Sequence, residues 1–173
     1  MESLDQTQSQ IVAAAIQLFS ENPDKKPSIT EIAKVAHVHR NTFYHYFETR
    51  SEVVFAIFSE LFSFPANEML PFSELLTQFL DIIDEHRLLF VHLANFHETF
   101  DVEMLTVFMQ GVGKMTFFEA LSSAERQLLY YSMVGVLTGW IKNPDRIKKD
   151  DVRTFLLRSS AWNTPDETKK ISR

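Results

Sequence analysis

Apolar positions recur at helical spacing along most of this chain. Ile11, Ala14, Ala15, Leu18 and Phe19 form one stripe on a helix predicted at about 7–21. Similar periodic segments predict helices at about 29–36, 40–47, 49–62, 73–86, 88–96, 101–118, 123–142 and 150–162. Strand-like alternation is not sustained over a useful length, and the chain has only four glycines. The pattern therefore predicts an all-α protein.

Three capping boxes mark helix starts within this pattern. In each, a Ser or Thr is followed three residues later by Glu, so that two free backbone N–H groups are satisfied reciprocally. The pairs are Ser28 with Glu31, Thr49 with Glu52, and Ser122 with Glu125.

The segment 29–47 has the form of a helix-turn-helix. A first helix with apolar Ile29, Ile32, Ala33 and Ala36 is followed by a three-residue turn at 37–39. A second helix buries Phe43 and Phe47, four residues apart, and offers polar donors on its other face. In this motif the second helix enters the major groove of DNA, which predicts DNA binding.

Prolines suggest where the chain divides. Pro65 and Pro71 follow the helix at 49–62 and mark a boundary. We predict a DNA-binding domain at 1–48, a connecting helix at 49–64 and a C-terminal helical domain for dimerisation and ligand binding at 65–173. The polar residues 163–173 are predicted to be disordered.

Composition changes this picture little. The 173 residues include 45% hydrophobic residues and no cysteine, which allows a sizeable core and excludes disulfide bonds and thiolate metal sites. No targeting signal or apolar run of about 20 residues is present, so we expect a cytoplasmic protein without membrane segments.

Charge limits how the protein can bind DNA. The net charge is −6, but residues 23–50 contain five Lys or Arg against three Asp or Glu, which leaves +2. This weak basic patch predicts that affinity depends on a few placed contacts and on dimer avidity.

The segment 36–47 resembles the DNA-binding domain of the TetR family of bacterial transcriptional regulators. The family's typical run is Ala-Gly-Val-Ser-Lys-Gly-Thr-Leu-Tyr-His-Tyr-Phe. This chain repeats it at Ala36, Val38, Thr42, Tyr44, His45, Tyr46 and Phe47, with Arg40 for the usual Lys and Phe43 for the usual Leu. The resemblance covers about 50 residues, and the C-terminal half is similar mainly in being helical.

Three positions depart from the family pattern. His37 replaces the turn glycine, so either a non-glycine residue is strained there or the turn needs no positive φ. His39 replaces the serine that usually caps the recognition helix, and Asn41 replaces a glycine that faces DNA in relatives. Asn41 could read adenine or limit the approach of the backbone, so we expect an atypical sequence preference.

Double-stranded operator DNA is therefore the predicted partner. Arg40, Asn41 and Thr42 are predicted to reach base edges, although a solvated helix start is the alternative. The resemblance implies that Tyr44 and Tyr46 contact phosphate, while Tyr46 alternatively only covers the small core. Thr49 and Arg50 open the next helix, where backbone donors favour a phosphate. The full predicted DNA-binding set is Thr30, His39, Arg40, Asn41, Thr42, Tyr44, His45, Tyr46, Thr49 and Arg50.

The C-terminal half is rich in Phe and Met, which usually indicates ordinary core. Relatives hold an effector between helices of this region, so the resemblance implies an apolar small-molecule effector as a partner. The predicted ligand-binding residues are Phe90, His92, Asn95, Phe96, Met104 and Phe108.

The resemblance also implies a homodimer through the last two long helices. Mid-helix glycines at 135 and 139 each cost about 0.8–1 kcal/mol, and close approach of two helices would explain them. Packing within the chain is the alternative. The predicted interface residues are Tyr131, Ser132, Gly135, Val136, Gly139 and Leu156.

Other function classes have weaker support. The histidines at 37, 39 and 45 lack a nearby carboxylate or thiolate, and those at 86, 92 and 97 lack the spacing of paired ligands, so no metal is predicted. No cofactor is predicted. A protein-interaction module that keeps the fold without reading DNA remains the alternative, motivated by the acidic charge and the replaced turn residues. An enzyme is not expected, because no nucleophile or carboxylate is paired with a base.

Overall fold

The computed structural model describes residues 5–63, 71–96 and 121–158, and every regular element within these ranges is an α-helix. The predicted all-α fold class is confirmed. The helix predicted at 101–118 lies outside the described residues. The helices are α1 (Gln6–Glu21), α2 (Ile29–Val35), α3 (Arg40–Tyr46), α4 (Arg50–Leu61), α5 (Phe72–Glu85), α6 (Arg87–Phe96), α7 (Ser123–Lys142) and α8 (Lys149–Arg158).

The chain divides into two compact units. The first contains Met1–Ser63 and His86–Met104, and the second contains Phe64–Glu85 and Leu105–Arg173. The sequence prediction assigned the segment of α6 to the C-terminal domain, whereas here α6 belongs with the N-terminal helices. The physical reason is its apolar face, which packs against α1.

The core of the first unit lies among α1, α2, α3, α4 and α6. Helix α1 is its centre, because it packs against α2, α4 and α6. Phe90 of α6 lies against two rings of the α4 segment, with ring centroids 5.8 Å from Phe58 and 6.0 Å from Phe62. The fully buried apolar side chains are Ile11, Val12, Ala15, Phe19, Ile32, Phe43, Val53, Ile57, Phe58, Leu89 and Phe90.

Helix starts follow the predicted caps with one difference. Ser28 with Glu31 and Ser122 with Glu125 form complete capping boxes. Thr49 accepts a hydrogen bond from the Glu52 backbone N–H at 3.3 Å, but the Glu52 carboxylate accepts from the Glu48 N–H instead, at 2.8 Å.

A third complete capping box, which was not among the predicted ones, opens α1. The Asp5 carboxylate accepts from the Gln8 backbone N–H, while the Gln8 side chain accepts from the Asp5 N–H at 3.0 Å. The Asp-x-x-Gln pattern is the same signal with different residues, so it could have been found.

In the second unit, α8 packs against α5 and α7. Val152 and Leu156 are the buried residues of α8. At the edge of this packing, Lys149 Nζ lies 2.8 Å from Asp81 Oδ1, and Arg153 Nε donates to Thr77 Oγ1 at 2.9 Å. Apolar burial and a polar rim thus fix α8 on α5.

The backbone of His37 shows that the turn needs a positive φ at this position. Its φ is 55°, which is the left-handed region that favours glycine. It is the one non-glycine residue with positive φ in the described part of the chain. Its side chain is exposed, and its backbone N–H donates to the Lys34 carbonyl at 3.2 Å. The turn therefore keeps the conformation of a glycine turn at some cost in strain.

We predict that His37→Gly stabilises the protein. Glycine relieves the left-handed strain, which costs roughly 1–2 kcal/mol, but loses more backbone entropy on folding, so the net gain should be about 0.5–1 kcal/mol. Urea unfolding would measure it. His37→Ala is the matched control, because it removes the same side chain and keeps the strain. Equal stabilities of the two variants would contradict the assignment of strain to φ.

Candidate nucleic-acid interface

The helix-turn-helix is held together from inside. Ala36 ends α2, and the Val38 N–H donates to the Ala33 carbonyl at 3.0 Å, which closes the turn before α3. Phe43 is fully buried and Phe47 nearly so, as the spacing predicted. These anchors fix the rotation of α3, and with it the set of side chains that face outward.

The outer face of α3 carries the predicted DNA-contacting residues. Arg40, Asn41, Tyr44 and His45 are exposed, whereas Thr42 and Tyr46 are half-buried. Tyr44 has 41% of its surface exposed, so its ring is accessible on this face. One face of α3 thus buries aromatic rings while the other presents hydrogen-bonding groups.

His39 caps the recognition helix. Its Nδ1 atom accepts a hydrogen bond from the Asn41 backbone N–H at 3.2 Å, in the role that a serine usually has. Because Nδ1 accepts, the proton of the neutral ring lies on Nε2. His39 therefore supports α3 and keeps one donor in addition, and it is exposed.

Arg40 and Tyr44 form a pair one helical turn apart. Arg40 Nη2 donates to the Tyr44 hydroxyl at 3.2 Å, and the guanidinium lies 5.5 Å from the centroid of the Tyr44 ring. Both side chains are exposed, so the pair orders the guanidinium without burying it. Base contact by Arg40 stays a prediction.

Tyr46 has a partner that the sequence analysis did not foresee. The pKa of Asp5 is lowered, mainly by the backbone N–H of Gln8, with further contributions from the Tyr46 hydroxyl and the charge of His45. The start of α1 thus places a carboxylate near the Tyr46 hydroxyl at the end of α3. A negative charge at this position weakens the attraction of this end of the interface for phosphate.

Among the predicted DNA-binding residues outside α3 and its cap, two are exposed and one points inward. Thr30 and Thr49 are exposed, and Thr49 caps α4. Arg50, predicted to contact phosphate, is half-buried and points inward. Its Nη1 donates to the Pro27 carbonyl at 2.6 Å, its Nη2 lies 2.6 Å from His92 Nε2, and its guanidinium lies 4.5 Å from the centroid of the Phe19 ring.

His92 is a fully buried polar residue in this unit. Arginine has no acceptor, so Nε2 of the ring must accept from Arg50, which leaves the proton on Nδ1. Nδ1 lies 3.2 Å from the Pro23 carbonyl and donates to it. The ring stacks on Phe19 with centroids 4.4 Å apart and planes 18° apart. His92 is thus a neutral imidazole with both nitrogen atoms hydrogen-bonded.

The surroundings keep His92 neutral. Burial is the main cause that lowers the pKa of His92 from 6.5 to about 4, and the positive charges of Arg50 and Lys26 act in the same direction. The hydrogen bond to the Pro23 carbonyl opposes this shift. A second proton on the ring would also place an N–H against the Arg50 guanidinium.

The other predicted ligand-binding residues of α6 also have partners in the first unit. Asn95 Nδ2 donates to Asp24 Oδ1 at 3.0 Å, and the Phe96 ring lies 4.8 Å from the His92 ring. Phe90 is buried against the α4 rings described above. Met104 and Phe108 lie outside the described residues. The structure therefore uses the described members of this set to join α6 to the helix-turn-helix.

The predicted dimer residues divide by exposure. Tyr131, Ser132 and Gly135 are exposed on α7, with Leu128 beside them at 66% exposure, and Val136 and Gly139 are half-buried. Leu156 is buried within its own unit, whereas its neighbour Phe155 is 57% exposed. Helical spacing in the sequence identified α8 as amphipathic. It did not show that Leu156 faces the core of its own unit while Phe155 faces outward.

The described residues form neither a metal site nor a membrane-spanning helix. Across 5–63, 71–96 and 121–158, no three His, Cys, Asp or Glu side chains lie together as ligands for a metal ion. In the same ranges, each helix is too short or too polar to cross a lipid bilayer.

The fold and the exposed face of α3 define a DNA-binding regulator of the helix-turn-helix class. Residues 11–57 match the family model described as "Bacterial regulatory proteins, tetR family". This match covers the helix-turn-helix segment and confirms the resemblance seen in the sequence. Members of this family are transcription regulators and not enzymes.

Solved structures share the fold across most of the chain. A protein named dihydroxyacetone kinase operon activator DhaS is 19% identical, with a TM-score of 0.62 over 92% of this chain and 99% of that chain. A tetR-family transcriptional regulator from Streptomyces coelicolor is 19% identical, with a TM-score of 0.57 over 90% of this chain and 79% of that chain. The fatty acid degradation regulator FadR from Bacillus halodurans is 18% identical, with a TM-score of 0.57 over 94% and 100%. No curated protein sequence matches the chain significantly.

We predict that His92 makes stability depend on pH. The folded protein keeps His92 neutral down to about pH 4, whereas the unfolded chain takes up the proton near pH 6.5. Between these values the unfolded state binds more protons, so the free energy of unfolding falls as the pH falls. The contribution of neutral His92 to the free energy of unfolding is complete above about pH 6.5. It is lost progressively toward pH 4, by about 3 kcal/mol in all.

Urea unfolding of the wild type and of His92→Gln at several pH values would measure this effect. Gln can donate and accept but does not titrate, so the stability advantage of the wild type should shrink as the pH falls. A difference between the two proteins that stays constant with pH would show that His92 does not titrate differently in the two states.

Proposed function

We propose that this protein is a homodimeric transcriptional repressor that reads a palindromic operator with α3. The observation that carries the proposal is the two-sided character of α3. Phe43 and Phe47 anchor one face, while Arg40, Asn41 and Tyr44 stand exposed on the other. Side chains of these types can read base edges and contact phosphate in the major groove.

Charge supports a mode of binding that depends on few contacts. The protein carries −6 overall, Lys25 pairs with Glu31, and Arg50 points inward, so the cations that remain for DNA on this domain are few. Non-specific attraction is then weak, and specific contacts doubled by a second subunit must supply the affinity.

The exposed face of α7 supports dimerisation. Leu128, Tyr131, Ser132 and Gly135 follow one another at helical spacing and are exposed. Among the described residues, a Cβ atom placed on Gly135 would meet nothing within 4 Å, so packing against these residues does not account for this glycine. Close contact with the same helix of a second copy would account for it, because the missing side chain lets two backbones approach.

Two-fold symmetry sets the form of the operator. The two α3 helices would enter successive major grooves about 34–36 Å apart, or a multiple of that distance, so the half-sites would be inverted repeats. Repression needs only that the bound dimer occlude a promoter, and we place this event in the cytoplasm, where operator DNA lies. One similar chain is named an operon activator, so the sign of regulation needs its own test.

The effector stays a prediction. Phe90, His92, Asn95 and Phe96 have protein partners in the first unit, so they do not support a ligand site. An apolar effector would have to use other residues of the chain.

Fluorescence anisotropy with DNA that flanks the gene, together with a promoter reporter, tests the proposal. We expect saturable, salt-dependent binding to one fragment in the presence of competitor DNA, and lower reporter output when the protein is present. Binding no tighter than to competitor, both for this DNA and after selection from random sequences, would favour the alternative of a protein-interaction module.

We predict that Arg40→Ala relaxes operator specificity. A bidentate contact with guanine contributes roughly 1–3 kcal/mol of discrimination, so the variant should lose preference at one base pair of each half-site. Selection from random DNA with each protein measures this preference. Arg146→Ala is the matched control, because it removes an exposed arginine from the second unit. A uniform loss of affinity with unchanged preference would show that Arg40 contacts phosphate instead.

We predict that Gly135→Ala weakens the dimer. Among the described residues of one chain the new methyl group meets open space, and it should raise helix stability by about 0.8–1 kcal/mol. At a close helix contact it would overpack the interface and raise the dimer dissociation constant about tenfold or more. Sedimentation velocity over a concentration series measures this change, with Glu85→Ala, an exposed position on α5, as the control. An unchanged dimer with a more stable chain would remove Gly135 from the interface.

A further inference from the structure

We propose that His92 is a positioning residue for operator binding. It holds Arg50 in an inward conformation, and Arg50 in turn ties together the two ends of the helix-turn-helix. The proposal rests on the proposed function and adds a residue of α6 to the machinery that presents α3 to DNA. It also gives Arg50 a role inside the protein in place of a contact with phosphate.

The bond from Arg50 to Pro27 closes the base of the motif. Pro27 directly precedes Ser28, the cap of α2, and Arg50 is the first residue of α4. The 2.6 Å hydrogen bond from Arg50 Nη1 to the Pro27 carbonyl therefore joins the residues on either side of segment 28–49. The direction of α3 is sensitive to this closure, because the three residues 47–49 alone separate α3 from α4.

His92 fixes the guanidinium that makes this closure. Arg50 Nη2 donates to His92 Nε2 at 2.6 Å, and His92 Nδ1 donates to the Pro23 carbonyl at 3.2 Å. The imidazole thus accepts on one side and donates on the other, from a rigid ring that is fully buried. Phe19 packs against both groups, since its ring stacks on His92 and lies under the Arg50 guanidinium.

This arrangement binds Arg50 more firmly than an exposed phosphate contact would. The guanidinium has two acceptors at 2.6 Å and an aromatic ring at 4.5 Å, all within one compact unit. Reaching a phosphate would require it to break these contacts and leave His92 with an unpaired acceptor in the interior. We infer that Arg50 keeps its inward position when the operator binds.

A double-mutant cycle on operator affinity tests the proposal. The variants are Arg50→Met, His92→Leu and the double variant, with His92→Gln as the conservative replacement, because its side-chain oxygen can still accept from Arg50. Each is titrated with the operator fragment at several salt concentrations. Urea unfolding of every variant shows that the measured proteins are folded.

We expect Arg50→Met and His92→Leu each to lower operator affinity on the order of tenfold, and the double variant to lose no more than either single variant. The slope of log affinity against log salt should stay at the wild-type value, because no phosphate contact is removed. His92→Gln should bind nearly as tightly as the wild type. If His92→Leu fails to fold, His92→Gln and Arg50→Met still test the same contact.

Three results would overturn the proposal. The first is a slope reduced by about 0.9 per lost contact in Arg50→Met with normal binding by folded His92→Leu, which would make Arg50 a phosphate contact. The second is full additivity of the two losses. The third is weak binding by His92→Gln that matches His92→Leu.

Nitrogen NMR of the His92 ring separates failure of the proposal from failure of the proposed function. We expect the Nδ1–H tautomer in the wild type and a changed ring signal in Arg50→Met. A wild type that shows this signature but binds no DNA would overturn the proposed function. An Nε2–H tautomer would contradict the positioning contact itself, whatever the protein binds.

Discussion

The guanidinium of Arg50 joins four parts of the DNA-binding unit. Through it, the first residue of α4 meets α6, the linker before α2 and the ring of Phe19. A guanidinium that is partly buried needs acceptors in place of the water it has lost. The Pro27 carbonyl and the neutral ring of His92 supply them. The position of α4, and the presentation of α3 that follows it, depend on these two acceptors.

The outer face of α3 is positioned by local contacts within the helix-turn-helix. Phe43 and Phe47 anchor the helix in the core, and the remaining residues of α3 form its outer surface. His39 adds a cap, and His37 accepts backbone strain to make the turn. Strain of this kind persists where the surrounding structure determines the backbone, and here α2 and α3 do so on both sides of the turn. The interface is thus a rigid scaffold that carries a small number of exposed side chains.

Much of this motif could be predicted from the sequence, because its signals are local. Helical spacing placed Phe43 and Phe47 in the core, and the capping pairs located the starts of α2 and α7. The φ of His37 could not be decided, since a histidine alone does not reveal whether a turn needs a glycine conformation. The box at Asp5 and Gln8 was local too, but its residue types differ from those of the other three.

The partners of α6 could not be predicted, because they are not local. His92 and Arg50 are 42 residues apart, and His92 and Pro23 are 69 apart. A histidine on the apolar face of a helix fits a ligand site and a core network equally well, and only tertiary packing decides between them. Leu156 and Phe155 illustrate the same limit, since adjacent apolar residues of α8 have opposite exposure.

Helix α6 is an integral part of the DNA-binding unit and is held there through His92. Native-state hydrogen exchange tests this directly, because it gives an opening free energy for each backbone amide. We expect amides around His92 in α6 to open together with those around Phe19 in α1, with the same free energy and the same response to denaturant. Amides of α6 that open at a much lower free energy, while α1 to α4 stay protected, would contradict it.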